Sequence, residues 1–134
     1  MIALDTNVVV RFLTQDDPAQ SAQANALMAG LTEAEPGFLC REVVVELVWV
    51  LERAYGLPRE RIAAALDGLL AARELMVESP DRTGLAVERY RAGGAGFSDH
   101  MIALAGREAG CRATFSFDRK AVAQAGMAPV PPAS

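Results

Sequence analysis

Cysteine is scarce: Cys40 and Cys111 are the only two. Two cysteines make no disulfide framework. With a single histidine, His100, they also fall short of a structural zinc site, which takes four such ligands at tight spacing. Both read as small buried apolar side chains. Long apolar runs are missing as well. None approaches the ~18 residues that cross a bilayer, so no membrane partner is expected. The opening Met1-Ile2-Ala3-Leu4 is too short for a signal peptide and has no basic flank, which makes a cytoplasmic location the expectation. Positive charge is in deficit. The 13 basic residues face 17 acidic ones, for a net charge of −4, which argues against nucleic-acid binding by bulk electrostatics alone. If a few of the acids hold metal, the rest of the chain balances and nucleic-acid binding stays open. The positions of the acids decide the matter.

What is present is ordinary globular composition. An apolar fraction of 51% with 22% charged residues argues against disorder. A length of 134 residues suits one domain, read here as residues 1–134 with 131–134 a frayed tail. Such a chain buries roughly two-thirds of its unfolded surface and needs no staple to fold.

Short strands alternate with helices. Met1–Leu4 is an apolar run ending at Asp5, where Asp5-Thr6-Asn7 offers cap chemistry. Asp17-Pro18-Ala19-Gln20 is a helix start, with an acid at the N-cap and Pro at the first helical position; Gly30 is its stop. Phe38-Leu39-Cys40 reads as a second strand. A long helix from Arg41 to about Ala54 ends at Gly56 and Pro58. A further helix follows Pro58, with Ile62, Leu66, Leu69 and Leu70 on one face. Leu75–Glu78 reads as a strand, Ser79-Pro80 caps a helix towards Tyr90, and residues 91–96 form a loop. Phe97–Ala109 is a helix, Ala113–Phe117 a strand, Arg119–Ala125 a short helix and Met127–Val130 a last strand. Strands separated by helices imply an α/β fold with a mainly parallel sheet and helices on both faces.

Four carboxylates stand where a core would be. Glu46 interrupts Val43-Val44-Val45 and Leu47-Val48-Trp49-Val50-Leu51, a helix apolar on nearly all sides, where an unpaired charge is costly. The competing account is a wet stripe, since positions 42, 46, 49 and 53 share a face. Asp5 and Asp118 each follow an apolar run and precede a helix. Ligands of open parallel sheets bind outside the carboxyl ends of strands, yet either residue also serves as a plain N-cap. Asp99 opens a helix within Gly96-Phe97-Ser98-Asp99, where an acid complements the helix dipole. Jointly, two strand-end acids, one helical acid and one helix-start acid fit a pocket for Mg²⁺ or Mn²⁺, one ion or two, which could bind a phosphodiester and ionise a water.

The opening Ile2-Ala3-Leu4-Asp5-Thr6-Asn7, the helical Glu46, the Gly96-Phe97-Ser98-Asp99 start and the late Thr114-Phe115-Ser116-Phe117-Asp118-Arg119-Lys120 together resemble a PIN-domain ribonuclease, and within that group the VapC-type toxins of bacterial toxin–antitoxin pairs. The resemblance spans nearly the whole chain and keeps all four acids in order. It implies a three-layer α/β/α sandwich and a small metal-dependent RNA-cleaving enzyme, often dimeric, silenced by a cognate VapB-like antitoxin. By that resemblance Asp5, Glu46, Asp99 and Asp118 are the metal-binding catalytic acids, and Asn7, Ser116 and Thr6 are supporting polar groups. Arg11, Arg41, Arg119 and Lys120 lie near those acids in sequence and are candidates for RNA phosphates. His100 reads as a helix-surface imidazole, and Trp49, Phe12 and Phe38 as core rather than base-stacking surfaces.

Three rivals are open. A metal-free response-regulator-like switch wants paired early acids and a phosphorylatable mid-chain Asp, where only Glu46 and Asp67 stand and neither ends a clear strand. A haloacid-dehalogenase-like phosphatase also starts with a strand-end Asp and Thr, but it wants a second acid where Asn7 stands. A non-catalytic binding module of the same fold would be expected to have lost one of the acids. Val8, Val9, Phe12, Leu13 and the Ala-rich segment after them offer more apolar surface than one small sheet needs, which points to a homodimer.

Overall fold

Helix caps decide where this chain turns. The computed structural model describes residues 1–133; Ser134, the end of the expected tail, lies outside the described residues. Packing divides the chain into two units, Met1–Pro80 and Asp81–Ser134.

The first unit runs β1 (Ile2–Ala3), α1 (Thr6–Thr14), α2 (Pro18–Ala29), β2 (Gly37–Leu39), α3 (Arg41–Arg53), α4 (Arg59–Ala71) and β3 (Leu75–Val77). Its strands form a parallel sheet in the order β1-β2-β3, with Ile2 opposite Gly37 and Gly37 opposite Leu75. Asp5 caps α1 by accepting from the Thr6 N–H at 2.7 Å. Asp17 caps α2 by accepting from the Gln20 N–H at 3.0 Å, with Pro18 at the first helical position. Both are the side-chain acceptors that an N-terminus with orphan N–H groups requires. The core holds Leu4, Val9, Leu39, Val44, Leu47, Leu51, Ile62 and Leu66. α1 packs on α2 and α3, and α4 packs on α3 and β3.

The second unit runs α5 (Pro80–Arg91), α6 (Phe97–Glu108), β4 (Phe115–Ser116), α7 (Arg119–Gln124) and β5 (Ala128–Pro129). β4 and β5 pair in parallel, and α7 crosses between them. Tyr90 is fully buried and meets Phe97 edge-to-face at 5.9 Å between ring centroids. The turn between α5 and α6 uses Gly94 at φ +88°, where a Cβ would stand 2.1 Å from the Gln124 side-chain oxygen. Only glycine fits both the left-handed backbone and that approach. Among the described residues no helix is long and apolar enough to cross a membrane.

The α/β reading with parallel strands holds, and each helix expected from Asp17 onward falls within a residue or two of its expected bounds. The strands are shorter than expected. Ala113–Phe117 contracts to β4, and Met127–Val130 contracts to β5, because so few backbone pairs line up beside a six-residue α7. Four expectations about burial need correction. Cys40 is half-buried and Cys111 is exposed, so the latter is no core side chain. His100 is buried, at 2% exposure, because positions 97, 100, 101 and 104 share the inward face of α6. Trp49 is 57% exposed rather than core, and Phe12 and Phe38 are half-buried. Finally, α3 is not apolar all round. It buries Val43, Val44, Leu47, Val48 and Leu51 and leaves Glu42, Glu46, Trp49 and Arg53 on a wet stripe.

Candidate functional site

In the first unit the parallel strands β1 and β2 end on the same side, and Asp5 and α3 follow directly from those ends. This carboxyl edge is where open parallel sheets bind ligands. Asp5 is exposed; its Oδ1 holds the Thr6 N–H, and Oδ2 has no partner among the described residues. Glu46 stands on the exposed stripe of α3, and its carboxylate makes no hydrogen bond or ion pair among the described residues.

The supporting groups differ in role. Asn7 is exposed and lines a cleft of about 270 Å³ with Val8, Arg11, Gln20, Gln23, Ala24 and Leu27. Thr6 is turned inward, and its hydroxyl is buried with no hydrogen-bond partner among the described residues.

Arg11 and Arg41 are engaged. The Arg11 guanidinium donates to Gln20 Oε1 at 2.8 Å and to Tyr55 Oη at 3.2 Å, and reaches Asp16 Oδ1 at 3.4 Å. Tyr55 in turn donates to Asp16 at 2.6 Å. That hydroxyl, then the Thr14 hydroxyl, hold the Asp16 carboxyl below its ordinary range. Arg41 lies 3.6 Å from Glu78 and 3.7 Å from Glu42, and its backbone N–H donates to Glu78 Oε1 at 3.1 Å. Glu78 follows β3 at the same carboxyl edge, an acid that the sequence reading passed over. Its signal was there: it ends the short apolar run Leu75-Met76-Val77, as Asp5 ends the first.

In the second unit Asp118 repeats the pattern of Asp5. It follows β4, and its Oδ1 accepts from the N–H groups of Lys120 at 2.8 Å and Ala121 at 3.1 Å. Ser116 Oγ accepts from the Asp118 N–H at 2.9 Å, which fixes the corner. Asp99 sits in the first turn of α6 and accepts from the Gly96 N–H through Oδ2 at 3.0 Å. Each of these two aspartates again leaves one oxygen without a partner among the described residues. Arg119 and Lys120 are exposed, and their side chains make no ion pair among the described residues.

Asp5 and Glu46 in the first unit, and Asp99 and Asp118 in the second, each offer carboxylate oxygen only. That chemistry suits Mg²⁺ or Mn²⁺ and disfavours softer metals. Among the described residues, no group of three or more His, Cys, Asp or Glu is gathered tightly enough to hold an ion.

The sequence model of one protein family, described as the PIN domain, matches residues 2–126 and so spans all four acids. No curated protein matches the chain.

Proposed function

The chain belongs to the PIN domain family, a group with a nuclease-type α/β/α fold, and from that premise we propose that it is a metal-dependent ribonuclease acting as the toxin of a VapBC-type pair. What carries the reading is the way three aspartates stand. Asp5, Asp99 and Asp118 each commit one carboxylate oxygen to a helix-start N–H and leave the other uncommitted among the described residues. The hydrogen bond fixes the carboxylate's orientation before any ligand arrives.

Asp5, Glu46, Asp99 and Asp118 would hold the ion. Bound there, Mg²⁺ or Mn²⁺ would neutralise phosphodiester charge and lower the pKa of a water. Ser116 keeps Asp118 in place by accepting its backbone N–H. Asn7 presents an exposed amide next to the first acid. Arg119 and Lys120 are the cations best placed to meet RNA phosphates, since Arg11 and Arg41 already have protein partners.

An apolar groove of buried and half-buried side chains supports a protein partner. In the first unit Phe12, Leu13, Met28, Leu69 and Leu75 line a cavity of about 520 Å³, open enough to take the apolar face of an antitoxin helix. We assign a basic tip of that partner to the acids of the same unit, where an arginine would pair with Asp5. A homodimer would cover part of the remaining apolar surface, and the setting would be the cytoplasm.

Purified protein should cleave single-stranded RNA in Mg²⁺ or Mn²⁺ and lose that cleavage in EDTA, as followed on gels. Cleavage at an unchanged rate in EDTA would remove the metal from the mechanism. Expressed alone in bacteria, the chain should arrest growth, and Asp5→Asn should relieve the arrest. A chain that is harmless at high expression, yet cuts RNA in the tube, would be a PIN nuclease outside the toxin class.

A further inference from the structure

Phe117 is the most exposed large apolar side chain among the described residues, at 89%, and it directly precedes Asp118. A phenyl ring this open to water is free to lie against a flat ligand. The backbone around it is fixed. The Asp118 N–H is held by Ser116 Oγ at 2.9 Å, and Asp118 Oδ1 accepts from the next helix start at 2.8 Å and 3.1 Å. The ring therefore projects from a pinned backbone corner, and a ligand has only its two side-chain torsions left to order. The two residues after Asp118 are Arg119 and Lys120, both exposed and without an ion pair among the described residues. An aromatic face with two free cations within three residues suits a single-stranded nucleotide, with the base on the ring and phosphate on the cations. An apolar protein surface would leave those charges unmatched.

We propose that Phe117 is a base-stacking platform that positions single-stranded RNA beside Asp118. The proposal rests on the ribonuclease reading above and adds a positioning residue to it. Because every base has a π-face, such a platform grips RNA with little sequence preference.

The test follows binding of a short, unstructured, fluorescein-labelled RNA to the full-length chain by anisotropy, in EDTA so that cleavage is stopped. Phe117→Ala should weaken binding about tenfold, and Phe117→Trp should restore it. An abasic strand of the same length should bind wild type and Phe117→Ala alike, because the ring then has nothing to stack on. Melting temperatures should coincide, since the side chain is exposed. In Mg²⁺ or Mn²⁺, Phe117→Ala should raise KM more than it lowers kcat. Equal RNA affinity for wild type and Phe117→Ala overturns the platform and leaves the ribonuclease standing. Equal affinity together with a dimer that dissociates in Phe117→Ala, seen by sedimentation, overturns it in favour of a protein contact. Wild-type protein that neither binds RNA in EDTA nor cleaves it in Mg²⁺ or Mn²⁺ brings down the platform and the ribonuclease reading together.

Discussion

Asp5→Asn, Asp99→Asn and Asp118→Asn should each lower RNA cleavage by on the order of 10²–10³-fold while the melting temperature stays close to wild type. The two halves of that result have separate causes. Asparagine keeps an oxygen that accepts from the helix-start N–H, and it caps helices about as well as aspartate. Asp5 can therefore be replaced without freeing the Thr6 N–H, and Asp118 without freeing those of Lys120 and Ala121. What is lost is the negative charge on the uncommitted side. The alanine series separates the two roles. Asp5→Ala and Asp118→Ala should lose cleavage and, in addition, about 1 kcal/mol of stability from the missing cap. Glu46→Gln should behave like the asparagine variants with no stability cost, since its side chain caps nothing. Kinetics on a labelled RNA and thermal unfolding by circular dichroism read both quantities. Wild-type cleavage by any one variant would remove that acid from the site.

Leu47→Ala should show the largest stability effect within the seat of Glu46. Leu47 is completely buried in the α3 face that packs on the rest of the first unit. Removing its isobutyl group loses transfer free energy and leaves a cavity, together costing about 2–5 kcal/mol. In a chain of this size that lowers the melting temperature by roughly 10–20 °C. Val45→Ala, one residue before Glu46 and half-buried, should cost about 1 kcal/mol or less, because its site can collapse or fill with water. The comparison matters for function. Below its melting transition Leu47→Ala should cleave RNA close to the wild-type rate, whereas the aspartate variants should stay on the order of 10²–10³-fold slower at every temperature. A drop of only a degree or two for Leu47→Ala would mean that α3 is held by something other than its apolar face.

The helix starts were legible because they are written in single residues. Asp5, Asp17-Pro18, Gly96 with Asp99, and Asp118 are local signals, and a cap needs no tertiary information to act. The candidate acids were legible for the same reason, since three of the four are those very caps. What failed was burial on helices whose apolar residues surround the axis. On α3 the spacing of 42, 46, 49 and 53 already marked a shared face, while Trp49 read as core rather than as a base-stacking surface. The structure sides with the spacing: Trp49 lies outside with its ring 5.9 Å from the Arg53 guanidinium. His100 failed in the opposite sense. Its polarity argued for water, while Phe97, Met101 and Leu104 on the same face of α6 carry it inward. Strand lengths were overestimated because an apolar run shows where a strand can lie, whereas its ladder ends where its neighbour's does.

The strands of the first sheet are only two or three residues long, and each partner lies far along the chain, Ile2 against Gly37 and Gly37 against Leu75. Such pairings close large loops for few hydrogen bonds, so they cannot lead the folding reaction. Helices close through neighbours four residues apart and form on much shorter timescales. α1 and α2 therefore act as spacers that shorten the effective path from β1 to β2, and α3 and α4 do the same from β2 to β3. On the ribosome, β1 is synthesised first yet must wait for β2 to emerge. Until then the segment carrying Asp5 has its cap and its helix but no sheet.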